Sequence, residues 1–80
     1  MSRLVYPYKI ETKEDLLRVS ELASKEPYDI YINTPFGSVN AKSLLGLFTM
    51  LGKEVNIVAG DGVDVEQFQH FHHKQVSFEL

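Results

Sequence analysis

The chain has no cysteine among its 80 residues. That excludes a disulfide framework, thiol catalysis and any cysteine-based metal site. It has no run of Lys or Arg and no basic stripe, and its formal net charge is −3. A protein that binds nucleic acid needs an electrostatic footprint for phosphates, so no nucleic-acid partner is expected. No stretch approaches the roughly 18 consecutive apolar residues of a membrane span. The opening "MSRLVYPYKI" lacks the long apolar core of a secretory signal, so a cytoplasmic location without a membrane partner is expected. Internal repeats, low-complexity tracts and linkers are also missing, and the length suits one small domain over 1–80. A chain of this size buries only about 60% of the surface its unfolded form exposes, which predicts modest stability.

What is present is ordinary folding material, 44% hydrophobic and 24% charged. Leu4 to Ile10 reads as a strand, and Pro7 predicts an edge position because proline cannot donate to a ladder. In "TKED", Thr12 and Asp15 stand where a helix N-cap and its N3 partner would, with Asp in the less usual N3 role. Leu16, Val19 and Ala23 continue at helical spacing until Pro27 stops them. "YDIYIN" over 28–33 alternates Tyr28, Ile30 and Ile32 on one face of a strand. "TPFG" signals a turn, and Phe36 to Ala41 would return as the second strand of a hairpin. Ser43 opens a short apolar helix that Gly52 closes. "EVNIVA" over 54–59 alternates Val55, Ile57 and Ala59 as a further strand. After "GDGVD", Asp64 with Gln67 repeats the capping pattern, and Phe68, Phe71 and either Gln75 or Val76 mark a last helix. The order is β-α-β-β-α-β-α, which predicts an α+β sandwich: a mainly antiparallel sheet with its helices on one face.

The segment "VNAKSLLGLFTMLG" over 39–52 concentrates Leu44, Leu45, Leu47, Phe48, Met50 and Leu51 in eight positions. At about 100° per residue, Leu44, Leu45 and Phe48 form one stripe and Leu47, Met50 and Leu51 another. One stripe must pack on the sheet. The other is either buried against a second helix or left as a binding surface, and spacing leaves open which stripe faces out.

On these residues the chain resembles HPr, the histidine-containing phosphocarrier of the bacterial sugar phosphotransferase system. "VNAKSLLGLFTML" resembles that family's regulatory-serine segment, "ELASKE" the end of its first helix, and "VNIVAGDGVD" its last strand and loop. The similarity runs over roughly residues 10–72 and is strongest between 37 and 62. The resemblance implies the HPr-like open-faced β-sandwich, four antiparallel strands with three helices on one side. It also implies that Leu44, Leu45 and Phe48 are the exposed, partner-binding residues, and that Ser43 is a regulatory phosphorylation site for an ATP-dependent HPr kinase. A phosphate there would sit at a helix N-terminus, which tolerates negative charge, and would change which partner can dock.

The chain departs from the family at its phosphoacceptor. Counting back without a gap from "ASK" places the family's histidine at Thr12, its arginine at Glu14 and its proline at Asp15. No histidine precedes His70. A phosphothreonine is a stable ester, unlike the N–P bond of phosphohistidine, and Glu11, Glu14 and Asp15 would repel a phosphate. Those acids suit a helix N-terminus, so Thr12 is expected to cap the helix rather than to carry phosphate. The catabolite-repression HPr-like proteins likewise keep the serine and lack the histidine.

The expectation is therefore a non-enzymatic, HPr-like regulatory module. It would bind a protein partner, such as an HPr kinase or a transcriptional regulator, and would need no cofactor. Two alternatives stand beside it. One is a phosphocarrier with an unusual acceptor such as Thr12 or a C-terminal histidine. The other is a diverged domain with an unrelated binding role. His70, His72 and His73 lack the additional ligands of a metal site and read as surface histidines. "GDGVD" is too short for a calcium loop. The tail "QVSFEL" alternates Val76, Phe78 and Leu80, consistent with a short strand, a packed tail or a self-association arm.

Overall fold

The computed structural model describes residues 4–77. Its elements are β1 (Val5–Lys9), α1 (Lys13–Ser24), β2 (Ile30–Thr34), β3 (Gly37–Asn40), α2 (Leu44–Phe48), β4 (Glu54–Ala59) and α3 (Val65–Ser77). The four strands form one antiparallel sheet in the order β1-β4-β2-β3. β1 is thus an edge strand, the position Pro7 predicts.

Strand alternation separates the two faces of the sheet. The row Tyr6, Ile57, Ile32 and Val39 crosses all four strands in register. Tyr6, Ile57 and Ile32 are buried. The neighbouring row, Val5, Val58, Tyr31 and Asn40, lies on the opposite face. The helices cover the first row. Leu16, Val19, Leu22 and Ala23 of α1, Leu47 of α2 and Phe68 and Phe71 of α3 join it in one hydrophobic cluster.

The helices meet different parts of the sheet. Tyr6 of β1 stands beside Phe68 of α3, with ring centroids 5.4 Å apart. α2 lies over β3, where a Cβ built on Gly46 would fall 3.1 Å from the Val39 Cβ. α1 packs against both α2 and α3.

Several boundaries differ from the sequence pattern. β2 begins at Ile30, so Tyr28 lies before it, half-buried, with its hydroxyl donating to the Gln67 carbonyl at 3.2 Å. Phe36 belongs to the hairpin turn, where its side chain is 94% exposed. Its N–H donates to Thr34 Oγ1 at 3.1 Å, which fixes the turn and leaves the ring outside. Ala41 lies beyond β3, although its N–H still donates to the Ile30 carbonyl at 2.8 Å. α3 runs through Ser77, so Gln75 and Val76 both belong to the last helix, where their spacing from Phe68 and Phe71 puts one of them. Phe78 and Leu80 lie outside the described residues.

Candidate functional site

The site is built from the ends of two helices. α1 starts at Thr12, whose extended backbone (φ −128°, ψ 165°) is that of an N-cap. The Asp15 N–H donates to Thr12 Oγ1 at 3.1 Å, and the Thr12 N–H donates to Asp15 Oδ2 at 3.1 Å. The same carboxylate accepts from the Glu11 N–H at 3.2 Å. The capping box is therefore complete with Asp in the N3 place. Glu14 and Asp15 lie in the first turn, where carboxylates complement the helix dipole. Thr12 is exposed, and its hydroxyl oxygen is engaged as a cap.

α2 starts at Ser43, also an N-cap with extended backbone (φ −94°, ψ 102°). Ser43 Oγ accepts from the Gly46 N–H at 3.4 Å, a long contact, and the Ser43 N–H donates to the Asn40 carbonyl at 2.9 Å. The Ser43 side chain is exposed. Its neighbour Lys42 reaches away, its ammonium donating to the Glu26 carbonyl at 2.9 Å.

The two apolar stripes of this segment separate. Leu47 is fully buried and Met50 nearly so. Leu44, Leu45 and Phe48 are 40%, 84% and 42% exposed. Leu51 is a correction to the stripe pattern: expected with Leu47 and Met50, it lies with the exposed group. The helix ends at Phe48 with Thr49 as its C-cap, so the helical period no longer applies at Leu51. The chain turns there and reverses at Gly52, whose φ of 82° requires glycine or strains another residue.

Ser43, Leu44, Leu45 and Phe48 thus share one short element, while Thr12 caps a different helix. A backbone link ties the two regions. The Gly52 N–H donates to the Ile10 carbonyl at 2.6 Å, and the Ile10 N–H donates to the Lys53 carbonyl at 3.2 Å. Leu17, on the solvent side of α1 beside Glu14, Arg18 and Glu21, is also exposed. Five of the eight large apolar side chains left exposed among the described residues, Leu17, Leu44, Leu45, Phe48 and Leu51, lie on α1, α2 and the turn after α2. The sequence pattern does not single out Leu17 or Leu51 as exposed. The signal for Leu17 was its position off the stripe of Leu16, Val19 and Ala23.

The histidines lie apart, on α3. His70 and His73 are exposed, whereas His72 is half-buried. Its ring stacks on Tyr6 with centroids 3.7 Å apart and planes 9° from parallel. Burial lowers the His72 pKa from its ordinary value, and the neighbouring His73 lowers it further. Among the described residues, no group of three or more metal-ligating side chains is placed to hold a metal ion. No helix among them is long and apolar enough to cross a membrane.

No family model matches the chain, and no curated protein matches it either. Solved structures do match. An HPr (HPr-C-His) from Thermoanaerobacter tengcongensis superposes with a TM-score of 0.69 at 21% identity, covering 96% of this chain and 92% of that one. The histidine-containing phosphocarrier protein of a Mycoplasma gives 0.67 at 24% identity, covering 89% of each chain. The phosphocarrier protein HPr of Bacillus anthracis gives 0.61 at 22% identity, covering 82% of this chain and 87% of that one. The class this defines is a fold: the chain has the HPr-like open-faced β-sandwich, with its element order, antiparallel sheet and one-sided helices.

Proposed function

We propose that this protein is an HPr-like regulatory module that binds a protein partner and does not relay phosphate. Leu44, Leu45 and Phe48 supply the contact, and phosphorylation of Ser43 modulates it. The observation that carries this reading is an exposed apolar stripe opened by an exposed N-cap serine, on the fold of phosphocarrier proteins. A surface of this kind is unusual on a small domain unless something docks there. A phosphate on Ser43 would lie beside Leu44 at the start of the stripe. It would meet the free amides of the α2 N-terminus, leaving the fold unchanged while adding charge at the stripe's edge.

The case against phosphate relay rests on Thr12. Its hydroxyl oxygen is engaged by the Asp15 N–H, and Glu11, Glu14 and Asp15 stand within three positions of it along the chain. A transferable phosphoryl group would meet repulsion there, and a threonine ester would not pass it on. The protein is a binding module rather than a catalyst, it needs no cofactor, and it works in the cytoplasm, where an HPr kinase or a transcriptional regulator would meet it.

A competing reading follows from the matched proteins, two of which are named as phosphocarriers. Incubation with phosphoenolpyruvate and Enzyme I separates the two. The proposal expects no incorporated phosphate. An acid-labile label on any histidine contradicts it and establishes a carrier with an unusual acceptor.

A further inference from the structure

We propose that Asp61 is a site of spontaneous backbone modification, where the Asp61–Gly62 link isomerises to isoaspartate in the folded protein. The turn between β4 and α3 is pinned at both ends and free at its tip. The Gly60 N–H donates to the Asp29 carbonyl at 2.8 Å, and Val63 is buried in the core. The Val63 N–H donates back to the Gly60 carbonyl at 3.4 Å. Asp61 and Gly62, between them, are exposed. Neither the Asp61 carboxylate nor the Gly62 N–H has a hydrogen-bond or ion-pair partner among the described residues. Gly62 has a φ of 79°, a conformation that favours glycine, so no side chain screens its nitrogen. The other Asp and Asn residues lack this combination, and none is followed by glycine. Asp15 holds two N–H groups at the start of α1. Asp29 accepts from the Asn40 amide at 3.4 Å and precedes the buried Ile30. Asp64 precedes Val65, whose β-branched side chain crowds its own nitrogen. After Asn40, the Ala41 N–H is held by the Ile30 carbonyl, and Asn33 and Asn56 lie within strands.

The chemistry needs only water. The Gly62 nitrogen attacks Cγ of the protonated Asp61 carboxyl. A Cγ–N bond forms, the Cγ–OH bond breaks, and the hydroxyl leaves with the amide proton as water. The product is a cyclic succinimide. Water then adds to either ring carbonyl. Addition at Cγ breaks the new bond and restores aspartate. Addition at the Asp61 main-chain carbonyl breaks the original peptide bond instead, so the chain continues through the side-chain carboxyl. One water leaves and one returns, so the mass is unchanged and no electron is exchanged. The isoaspartate lengthens the main chain by one carbon and leaves a free α-carboxylate just ahead of α3.

Ageing the intact chain at neutral pH tests the proposal, with parallel samples kept folded and in guanidinium chloride. Labelling with a protein isoaspartyl methyltransferase and radiolabelled S-adenosylmethionine counts the isoaspartate. Digestion with endoproteinase Asp-N, which cuts before aspartate and not before isoaspartate, locates it. The folded wild type is expected to gain label at a rate within severalfold of the denatured sample. Cleavage before Asp61 should fall in step, while cleavage before Asp15, Asp29 and Asp64 holds. Asp61→Glu should lose nearly all of the label, because glutamate must close a larger ring. No label in the folded chain, or label only in guanidinium chloride, overturns the proposal. So does undiminished label in Asp61→Glu, or full cleavage before Asp61 in a labelled sample.

Discussion

Thr12 and Asp15 satisfy each other's backbone at the start of α1: each side chain accepts the other's N–H, both at 3.1 Å. The position where the HPr resemblance places a phosphoacceptor is thus occupied by a structural pair. Removing either half leaves a helix-end donor unsatisfied. Thr12→Ala should cost about 1 kcal/mol, the usual worth of an N-cap. Asp15→Ala should cost a similar amount. Each change removes a different one of the two hydrogen bonds, so the double variant should cost about the sum of the two. Urea denaturation of the three variants checks this, and a loss near zero in either single variant would contradict the pairing.

Leu45 and Leu47 lie two residues apart on α2 and should behave oppositely. Leu45 is 84% exposed and Leu47 is 0% exposed. Leu45→Ala should change stability by no more than about 0.5 kcal/mol. Leu47→Ala empties a core position and should cost roughly 2–5 kcal/mol. Partner binding should respond the other way: Leu45→Ala should weaken it without loss of fold. Denaturation curves and a binding titration on the same samples measure both sides.

Tyr28 predicts an alkaline weakness. Its pKa is raised to about 12, first by burial and then by the negative charge of Glu26. The unfolded chain releases this proton near the ordinary value of 10.0, before the folded chain does. Between those values the unfolded state binds fewer protons, so stability falls as pH rises. Tyr28→Phe should flatten that slope, at the cost of the hydrogen bond to the Gln67 carbonyl at neutral pH. Thermal melts across the alkaline range report both effects.

Much of this was legible in the sequence, for identifiable reasons. The alternation of Ile30 with Ile32 and of Val55 with Ile57 marks inward-facing strand positions. Pro7 marks the sheet edge, and Thr12 with Asp15 marks a helix start. These are local signals, and the structure follows them. The exposed stripe of Leu44, Leu45 and Phe48 came from the family resemblance, because spacing alone gave two equivalent stripes. In the structure Leu47 and Met50 are the buried pair, which leaves Leu44, Leu45 and Phe48 outside. Leu51 was misplaced because α2 ends before it. At the start of α3 only half of the expected capping box is seen, the Asp64 N–H donating to Gln67 Oε1 at 3.2 Å. His72 read as a surface residue because its burial depends on a ring from β1, some sixty positions earlier, and no local period reports such a contact. The tie of Lys42 to the Glu26 carbonyl is likewise long-range and was not foreseen.

The most direct test is the intact mass of the purified protein after incubation with ATP and a bacterial HPr kinase, beside a Ser43→Ala control. The account predicts one added phosphate on the wild type and none on the variant, with the fold retained in both. A wild type that gains no phosphate, or a Ser43→Ala variant that gains one, would contradict Ser43 as the regulated entrance to the apolar stripe.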